Sequence, residues 1–384
     1  MSTNIEGSLL SALVSGTSTA AVVGTLTYPL DFIKHSTQLN HPQQIAKYKI
    51  PSNGPHSMAQ LFKGCSALVT GNILKNGARI FSYHWASNFM SLESQDSHGN
   101  SIKKTTAPRI VIAGFMSGML ETLWLIPFEN IKIAMIQNQL LRNEIDSCLK
   151  QGLKIDVTGQ SIDMHHKPTQ NIFKNHYISP HIYFTNELAA QYKGLNVSRF
   201  STTHMKHTKK DALKQKYNKN PSLTLSGVIK EIYTLKGTKG FAYGGFITFI
   251  RQGAISSIWL STYNWTKQLY LPHNKSHDGW FGESLTLIQS VGLQVAASAA
   301  VITITQPIDV VKSHMQSKNS HVIYKDSLGT AYRLVMEQGF TSLYKGTLPR
   351  GIKVLVSGGL SANLYAYFES MFNNASSKTV FSNE

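Results

Sequence analysis

One short pattern, Pro-x-[Asp/Glu]-x-x-Lys, occurs three times along the chain. The copies are Pro29/Asp31/Lys34, Pro127/Glu129/Lys132 and Pro307/Asp309/Lys312. Each ends a stretch of small and apolar residues. Ser8 to Leu30 is a run of 23 residues without Asp, Glu, Lys or Arg, and Ser284 to Ile308 is one of 25. Runs of that length can cross about 30 Å of hydrocarbon as helix. A single copy of so loose a pattern would carry little weight. Three copies, each closing a candidate span, establish an internal repeat, and a repeat constrains the fold before any local feature does.

A second element recurs after each motif or before the next helix-like segment. Residues 61–64 read LFKG, 241–244 FAYG and 343–346 LYKG. Each introduces another apolar segment, so each repeat holds a span, an aromatic-glycine corner and a second span. Six spans result. The repeats are expected at residues 1–100, 101–274 and 275–384.

The spacing is uneven. The first two motif prolines are 98 residues apart and the last two 180 apart, an excess of 82 that falls at residues 141–222. This insertion carries 13 basic and 6 acidic residues, is rich in Asn, Gln, His and Ser, and has no sustained period. Such a composition predicts a polar, mobile loop with no core of its own. Its DMHHKP stretch, residues 163–168, is read as an exposed histidine pair and not as a metal site. The basic run from Lys206 to Lys219 is read as a solvated loop in preference to a nucleic-acid or anionic-lipid contact.

Composition narrows the partners. The chain has 37 basic and 20 acidic residues, a formal charge of +17, and mean hydropathy of -0.14. A basic excess of this size favours anionic molecules or anionic lipid surfaces. Two cysteines, Cys65 and Cys148, exclude a disulfide framework and a cysteine zinc site. No basic n-region or small-residue cleavage site opens the chain, so no cleavable secretory signal is expected. The histidines show no metal or nucleophile-base spacing, and no glycine-rich phosphate loop follows a strand. No enzyme and no cofactor are expected.

The threefold motif and the aromatic-glycine corners resemble the mitochondrial carrier family. The similarity covers the chain apart from residues 141–222. Within the family, LFKGCSALVTGNILKNGAR, GFMSGMLETLWLIPFENIK, FIRQG and LYKGTLPRGIK look most like the tricarboxylate (citrate) carriers. The resemblance implies an all-α membrane protein with six transmembrane helices in three pseudo-symmetric repeats, joined by short matrix helices. It implies a multi-pass monomer of the mitochondrial inner membrane. As partners it implies small carboxylate anions and membrane lipid, cardiolipin among it, with no nucleic acid and no metal.

It also implies a role for the motif charges. Pairing between neighbouring repeats would join Asp31 to Lys132, Glu129 to Lys312 and Asp309 to Lys34 at the matrix end. Ionisable groups at membrane depth are costly unless they face one another or water, so such a ring is a latch that can break and reform. Proline kinks a helix by removing a donor, and neighbours or water satisfy the freed carbonyl. Family members often carry a glutamine nine residues after the proline. Gln38 and Gln316 fit, while the second repeat has Ile136, so two braces are expected. Gly114 and Gly118 give the spacing that lets membrane helices approach closely. The opposite, cytosolic gate is depleted: Tyr83-His84-x-x-Ser87, Tyr263-Asn264-x-x-Lys267 and Tyr365-Ala366 lack the acidic residue, with Glu369 nearby. Aromatic packing and polar contacts would have to hold it.

The candidate substrate site lies on the second spans. Lys75 and Arg79 are four apart and share a helical face, as do Arg350 and Lys353, three apart. Counting thirteen residues back from His84, Asn264 and Ala366 gives Gly71, Arg251 and Lys353, the levels at which the family binds substrate. Arg251-Gln252 resembles the basic-glutamine pair of carboxylic-acid carriers. Guanidinium groups grip carboxylates bidentately and lysines add point charge, so this set suits a tricarboxylate or dicarboxylate. Snorkelling at a span end is the competing account, strongest for Arg350 beside Pro349. Citrate-type carriers have an arginine eight residues beyond the Arg251 position, where this chain has Trp259. The expected function is exchange of carboxylate anions by alternating access. The alternatives are a carrier of phosphate or a nucleotide, and a degenerate carrier acting as a membrane adaptor.

Overall fold

All three motif prolines lie inside long helices. A computed structural model describes residues 2–39, 57–90, 92–95, 101–104, 107–150, 175–177, 209–255, 258 and 287–377. Pro29 is in α1 (Ser2–Leu39), which is followed by the one-turn α2 (Met58–Leu61) and by α3 (Cys65–Met90). Pro127 is in α4 (Ala107–Lys150). Then come α5 (Lys209–Lys219), α6 (Leu225–Lys236) and a helical run, α7, over 245–255. Pro307 is in α8 (Leu287–Met315), followed by α9 (Ser327–Gln338) and α10 (Thr347–Ser377). The described residues are helical as expected, apart from one hairpin. Its strands, β1 (Leu92–Gln95) and β2 (Ser101–Lys104), pair antiparallel with Leu92 opposite Lys104.

The long helices pack side by side. α3 lies along α4, α1 against both α3 and α10, and α10 against α8. α7 joins the two flanks: Ile247 packs with Val310 of α8, and Gly245 approaches Ile126 of α4. Three apolar clusters sit below the prolines. One joins Tyr28, Phe32, Leu61, Leu68, Ile136 and Leu140. The second joins Ala67, Ile131, Ala134, Met135, Val228 and Ile232, and the third is built around Val310, Val311 and Leu334.

The distribution of polarity is inverted relative to a water-soluble bundle. Asp31, Lys34, Gln38, Glu121, Asp309 and Lys312 are buried. Leu26, Trp124, Phe246, Ile304 and Leu355 are more than half exposed. Threonines inside the helices donate to the preceding turn: Thr19 to the Ser15 carbonyl at 2.7 Å, Thr27 to Val23 at 2.7 Å and Thr305 to Val301 at 2.6 Å. Back-bonding of this kind satisfies a hydroxyl without water. Among the described residues, one segment, Val295–Met315, has the length and apolarity to cross a membrane, with mean hydropathy 1.3.

The three corners are built alike. Gly64, Gly244 and Gly346 have φ of +93°, +71° and +80°, which glycine alone adopts without strain. Each also lies against another long helix, α4, α8 and α1 in turn. A Cβ on Gly244 would stand 2.8 Å from Gln316 Cγ, and one on Gly346 3.2 Å from the Lys34 carbonyl. One on Gly64 would stand 3.3 Å from the Lys132 carbonyl and would collide with the Tyr28 hydroxyl. Side chains staple the corners: Gln306 Nε2 donates to the Lys345 carbonyl at 2.8 Å, and Asn130 Nδ2 to the carbonyls of Phe241 and Tyr243 at 2.8 and 3.1 Å. Tyr28 donates likewise to the Lys63 carbonyl.

The insertion differs from the expectation of a polar, mobile loop wherever it is described. Residues 141–150 continue α4 as helix, with Leu141 fully buried. Residues 209–219 form α5, whose Lys214 and Asn218 are buried. Asn175, His176 and Tyr177 are buried as well. Composition misled because these polar groups are buried by pairing with one another and not by apolar packing. The histidine pair at 165–166 lies outside the described residues.

Candidate functional site

The proline-bearing stretches of α1, α4 and α8 bring the motif charges together. Lys34 Nζ contacts Asp309 Oδ2, Lys132 Nζ stands 3.6 Å from Asp31 Oδ2, and Lys312 Nζ stands 2.6 Å from Glu129 Oε2. The acid follows the proline by about half a turn and the lysine by about one and a half turns, so the two leave the helix on different sides. The acid then faces one neighbour and the lysine the other, so the three pairs run in one direction around the axis. All six side chains are at most 14% exposed.

The glutamines divide. Gln38 Oε1 accepts from Ser313 Oγ at 2.7 Å, and its Nε2 donates to the Lys345 carbonyl at 3.3 Å. It therefore ties α1 to α8 and to the third corner, beside the Lys34–Asp309 pair. Gln316 does not form a second brace. It is buried against Gly244, and neither of its amide atoms has a hydrogen-bond partner among the described residues.

The candidate substrate residues lie next to this ring, and each has a partner of its own. Arg251 Nε stands 2.6 Å from Asp309 Oδ1, and Lys353 donates to Asp31 Oδ2 at 2.7 Å. Two of the three motif carboxylates are thus shared between a motif lysine and a cavity cation. Lys75 and Arg79, from α3, reach Glu121 of α4 at 3.9 and 3.4 Å. Arg350 is buried and does not snorkel: its guanidinium donates to Gln306 Oε1 at 3.0 Å and Thr305 Oγ1 at 2.8 Å. Gln252 lies over Gly118, where an added Cβ would be 3.5 Å from its Nε2. Gly71 lets Phe128 approach, since a Cβ there would be 2.8 Å from Phe128 Cβ.

Sequence reasoning missed three members. Glu121 is the one charged residue between Ile110 and Ile126, and that isolation was a usable signal. His35 and Ser313 are buried inside the ring, with Ser313 Oγ 3.4 Å from His35 Nδ1. Nothing in their spacing marks them. Of the residues assigned to the cytosolic gate, Tyr263, Asn264 and Lys267 lie outside the described residues, as does Trp259. The side chains of Tyr83, His84 and Ser87 are also outside them.

In charge terms the site is lopsided. The three motif acids and three motif lysines cancel. Among the described residues, Lys75, Arg79, Arg251, Arg350 and Lys353 then outnumber the further acid beside them, Glu121. A cluster of this charge attracts anions, and a molecule with several carboxylates can replace several protein contacts at once.

Comparison with known proteins agrees with this geometry. The family model described as mitochondrial carrier protein matches residues 6–94 and 283–376. A mitochondrial carrier of Saccharomyces cerevisiae is 26% identical over 362 residues, covering 94% of this chain and 95% of that protein. The mitochondrial citrate transporter A of Aspergillus niger is 26% identical over 360 residues, covering 93% and 90%. The tricarboxylate transport protein of Saccharomyces cerevisiae is 23% identical over 373 residues, covering 93% of each. These relatives run through the second repeat and its insertion as well as through the two matched stretches. With a proline inside each of three long helices, three glycine corners and a closed ring of charge pairs, the chain belongs to the mitochondrial carrier family, whose members are transporters of the inner mitochondrial membrane.

Proposed function

We propose that this protein is a secondary transporter exchanging tricarboxylate or dicarboxylate anions across the mitochondrial inner membrane by alternating access. It works as six transmembrane helices in three pseudo-symmetric repeats, with the lysine–carboxylate ring as the matrix gate. Buried charges and exposed leucine, isoleucine and tryptophan side chains along the long helices support a bundle with a polar interior in lipid.

The observation that carries the reading is the sharing of carboxylates between gate and cavity: Arg251 rests on Asp309 and Lys353 on Asp31. Without substrate, the gate carboxylates neutralise the cavity cations. An incoming anion offers carboxylates of its own to Arg251 and Lys353. Asp309 and Asp31 then lose one of their two cations, and the matrix gate is held by fewer contacts. The exchange of partners leaves no charge buried alone, which would cost several kcal/mol. A neutral solute cannot make the substitution, so the gate stays shut. Glu121 sets the charge of the upper cavity, and Arg350 holds the floor through Gln306 and Thr305.

The test is exchange of labelled citrate, malate and oxoglutarate in proteoliposomes, with phosphate and nucleotides in the same panel. The proposal expects carboxylate exchange that is lost in Arg251→Gln and Lys353→Gln. Phosphate or nucleotide exchange with none of the carboxylates would assign the site to another anion. Exchange unchanged by both substitutions would remove these residues from the site.

A further inference from the structure

Three residues of the insertion are sealed into the matrix end of the bundle. Asn175, His176 and Tyr177 are 1%, 5% and 5% exposed, although they belong to the most polar part of the chain. Their contacts reach two repeats. Toward the second repeat, Asn175 Nδ2 donates to Glu144 Oε1 of α4 at 2.7 Å, and Tyr177 Oη donates to Glu231 Oε1 of α6 at 2.7 Å. Toward the third, Asn319 Nδ2 donates to the His176 carbonyl at 2.7 Å, and the Lys318 ammonium sits 4.9 Å from the centre of the Tyr177 ring. Asn218 of α5 pairs with the Tyr177 backbone in both directions, at 2.7 and 3.0 Å.

Their position relative to the gate follows from the helices. Gln137 is eight residues beyond Glu129 on α4, about 12 Å along its axis. Its Oε1 accepts from the backbone N–H of Lys318, six residues beyond Lys312. The insertion residues lie against this same junction, directly matrix-side of the Glu129–Lys312 pair. A loop that only covered a surface would bond to one element or to water. This one bonds to both sides of a seam, through side chains that burial leaves with no alternative partner in water.

We propose that Asn175, His176 and Tyr177 form a lock that joins the second repeat to the third across the matrix end, and that it must be released before Glu129 and Lys312 separate. The inference rests on the carrier reading in taking opening at this end as a working motion. It adds an element that the three-repeat frame lacks, because the insertion occurs in one repeat only. The ring of three pairs is therefore asymmetric in strength, firmest between repeats two and three.

The lock is tested by measuring the separation it restrains, with no substrate present. Spin labels are placed at Arg142→Cys and Lys325→Cys, both exposed, in full-length reconstituted protein with Cys65 and Cys148 replaced by serine. The parent is expected to give a dominant short-distance population with a minor longer one. Tyr177→Phe combined with Asn319→Ala removes a bond on each side of the seam and should raise the longer-distance population by about tenfold. Lys230→Ala, on the exposed face of α6, should leave the distances unchanged. If the combined variant does not fold, Asn319→Ser alone carries the test with a smaller rise in the same direction. A folded variant with the parent's distances overturns the lock, as does an equal rise in Lys230→Ala. Failure of the transport reading would show separately, as a parent that exchanges none of the anions while the variants still lengthen.

Discussion

Lys353 donates to Asp31 Oδ2 at 2.7 Å, closer than Lys132 at 3.6 Å to the same oxygen. A residue expected to hold substrate and a residue expected to hold a gate thus hold each other. The two cations are not equivalent. Lys132 approaches from the neighbouring repeat and is nearly buried, whereas a quarter of the Lys353 side chain is exposed. Lys353 is the more accessible of the two.

Substitutions at this pair should therefore differ in kind. Lys353→Gln leaves Asp31 with Lys132, so the protein should melt near the parent temperature and lose exchange by at least about tenfold through a raised KM. Asp31→Asn leaves two cations without a carboxylate, and breaking a buried pair from one side costs about 3–5 kcal/mol. It should lower the melting temperature clearly, and added Lys353→Gln should recover part of the loss. Melting curves and initial exchange rates of the three variants decide the matter. Equal melting of Asp31→Asn and Lys353→Gln would contradict the shared-carboxylate account.

Glu121 should tune selectivity by charge. It is buried and pairs with both Lys75 and Arg79. Glu121→Gln keeps its shape and releases both cations to the solute. KM for a trivalent anion should fall relative to that for a divalent one, by a few-fold to about tenfold in the ratio. Competition between citrate and malate in proteoliposomes measures it. An unchanged ratio would place Glu121 outside the substrate's field.

The corner glycines should be the least replaceable small residues. Alanine at Gly64, Gly244 or Gly346 must adopt a left-handed backbone, at about 1–2 kcal/mol, and must also fit against the next repeat. Gly64→Ala should be the most damaging, since its methyl meets both the Tyr28 hydroxyl and the Lys132 carbonyl. Gly16→Ala is the control: it sits in α1 with open space around it, where alanine favours helix. Thermal unfolding in detergent should rank Gly64→Ala lowest and Gly16→Ala at or above the parent.

These contrasts explain how much of the architecture was legible in the sequence. Pro29, Pro127 and Pro307 could be read because proline acts on its own backbone, and the acid and lysine that follow keep a fixed offset. The corners could be read because glycine at a left-handed position leaves no freedom of choice. Gln38 and Gln316 could not be told apart, since they share an offset and differ only in what lies opposite: Ser313 in one case, the flank of Gly244 in the other. The insertion was misjudged for a related reason. Asn175 and Tyr177 look like surface residues until Glu144 and Glu231 are seen to receive them. Composition reports polarity, and burial depends on whether each polar group has found its partner.

The buried groups packed around Tyr177 give this end of the bundle a pH response whose sign can be worked out. Burial pushes the Lys236 ammonium down to about 7 and that of Lys318 down to about 8, against the attraction of Glu231. Both values lie below those of an unfolded lysine. The folded protein therefore binds fewer protons than the unfolded chain above about pH 7, and stability rises with pH there. Burial raises the Glu144 carboxyl to about 7, which subtracts stability as pH climbs toward that value and nothing further beyond it. His176 and His321, held down to about 3 and about 4 by burial and neighbouring lysines, are neutral in both states above the ordinary histidine range. Of these groups, only the two lysines are still titrating between about pH 7 and pH 8.5, each by at most about 1.4 kcal/mol per pH unit. The melting temperature should rise over that interval at constant ionic strength. Lys236→Met should flatten the rise, because Lys236 is the first of the pair to titrate, and what remains should begin near pH 8. A parent whose melting temperature is level or falls over the interval would mean that these ammonium groups keep their protons in the folded state.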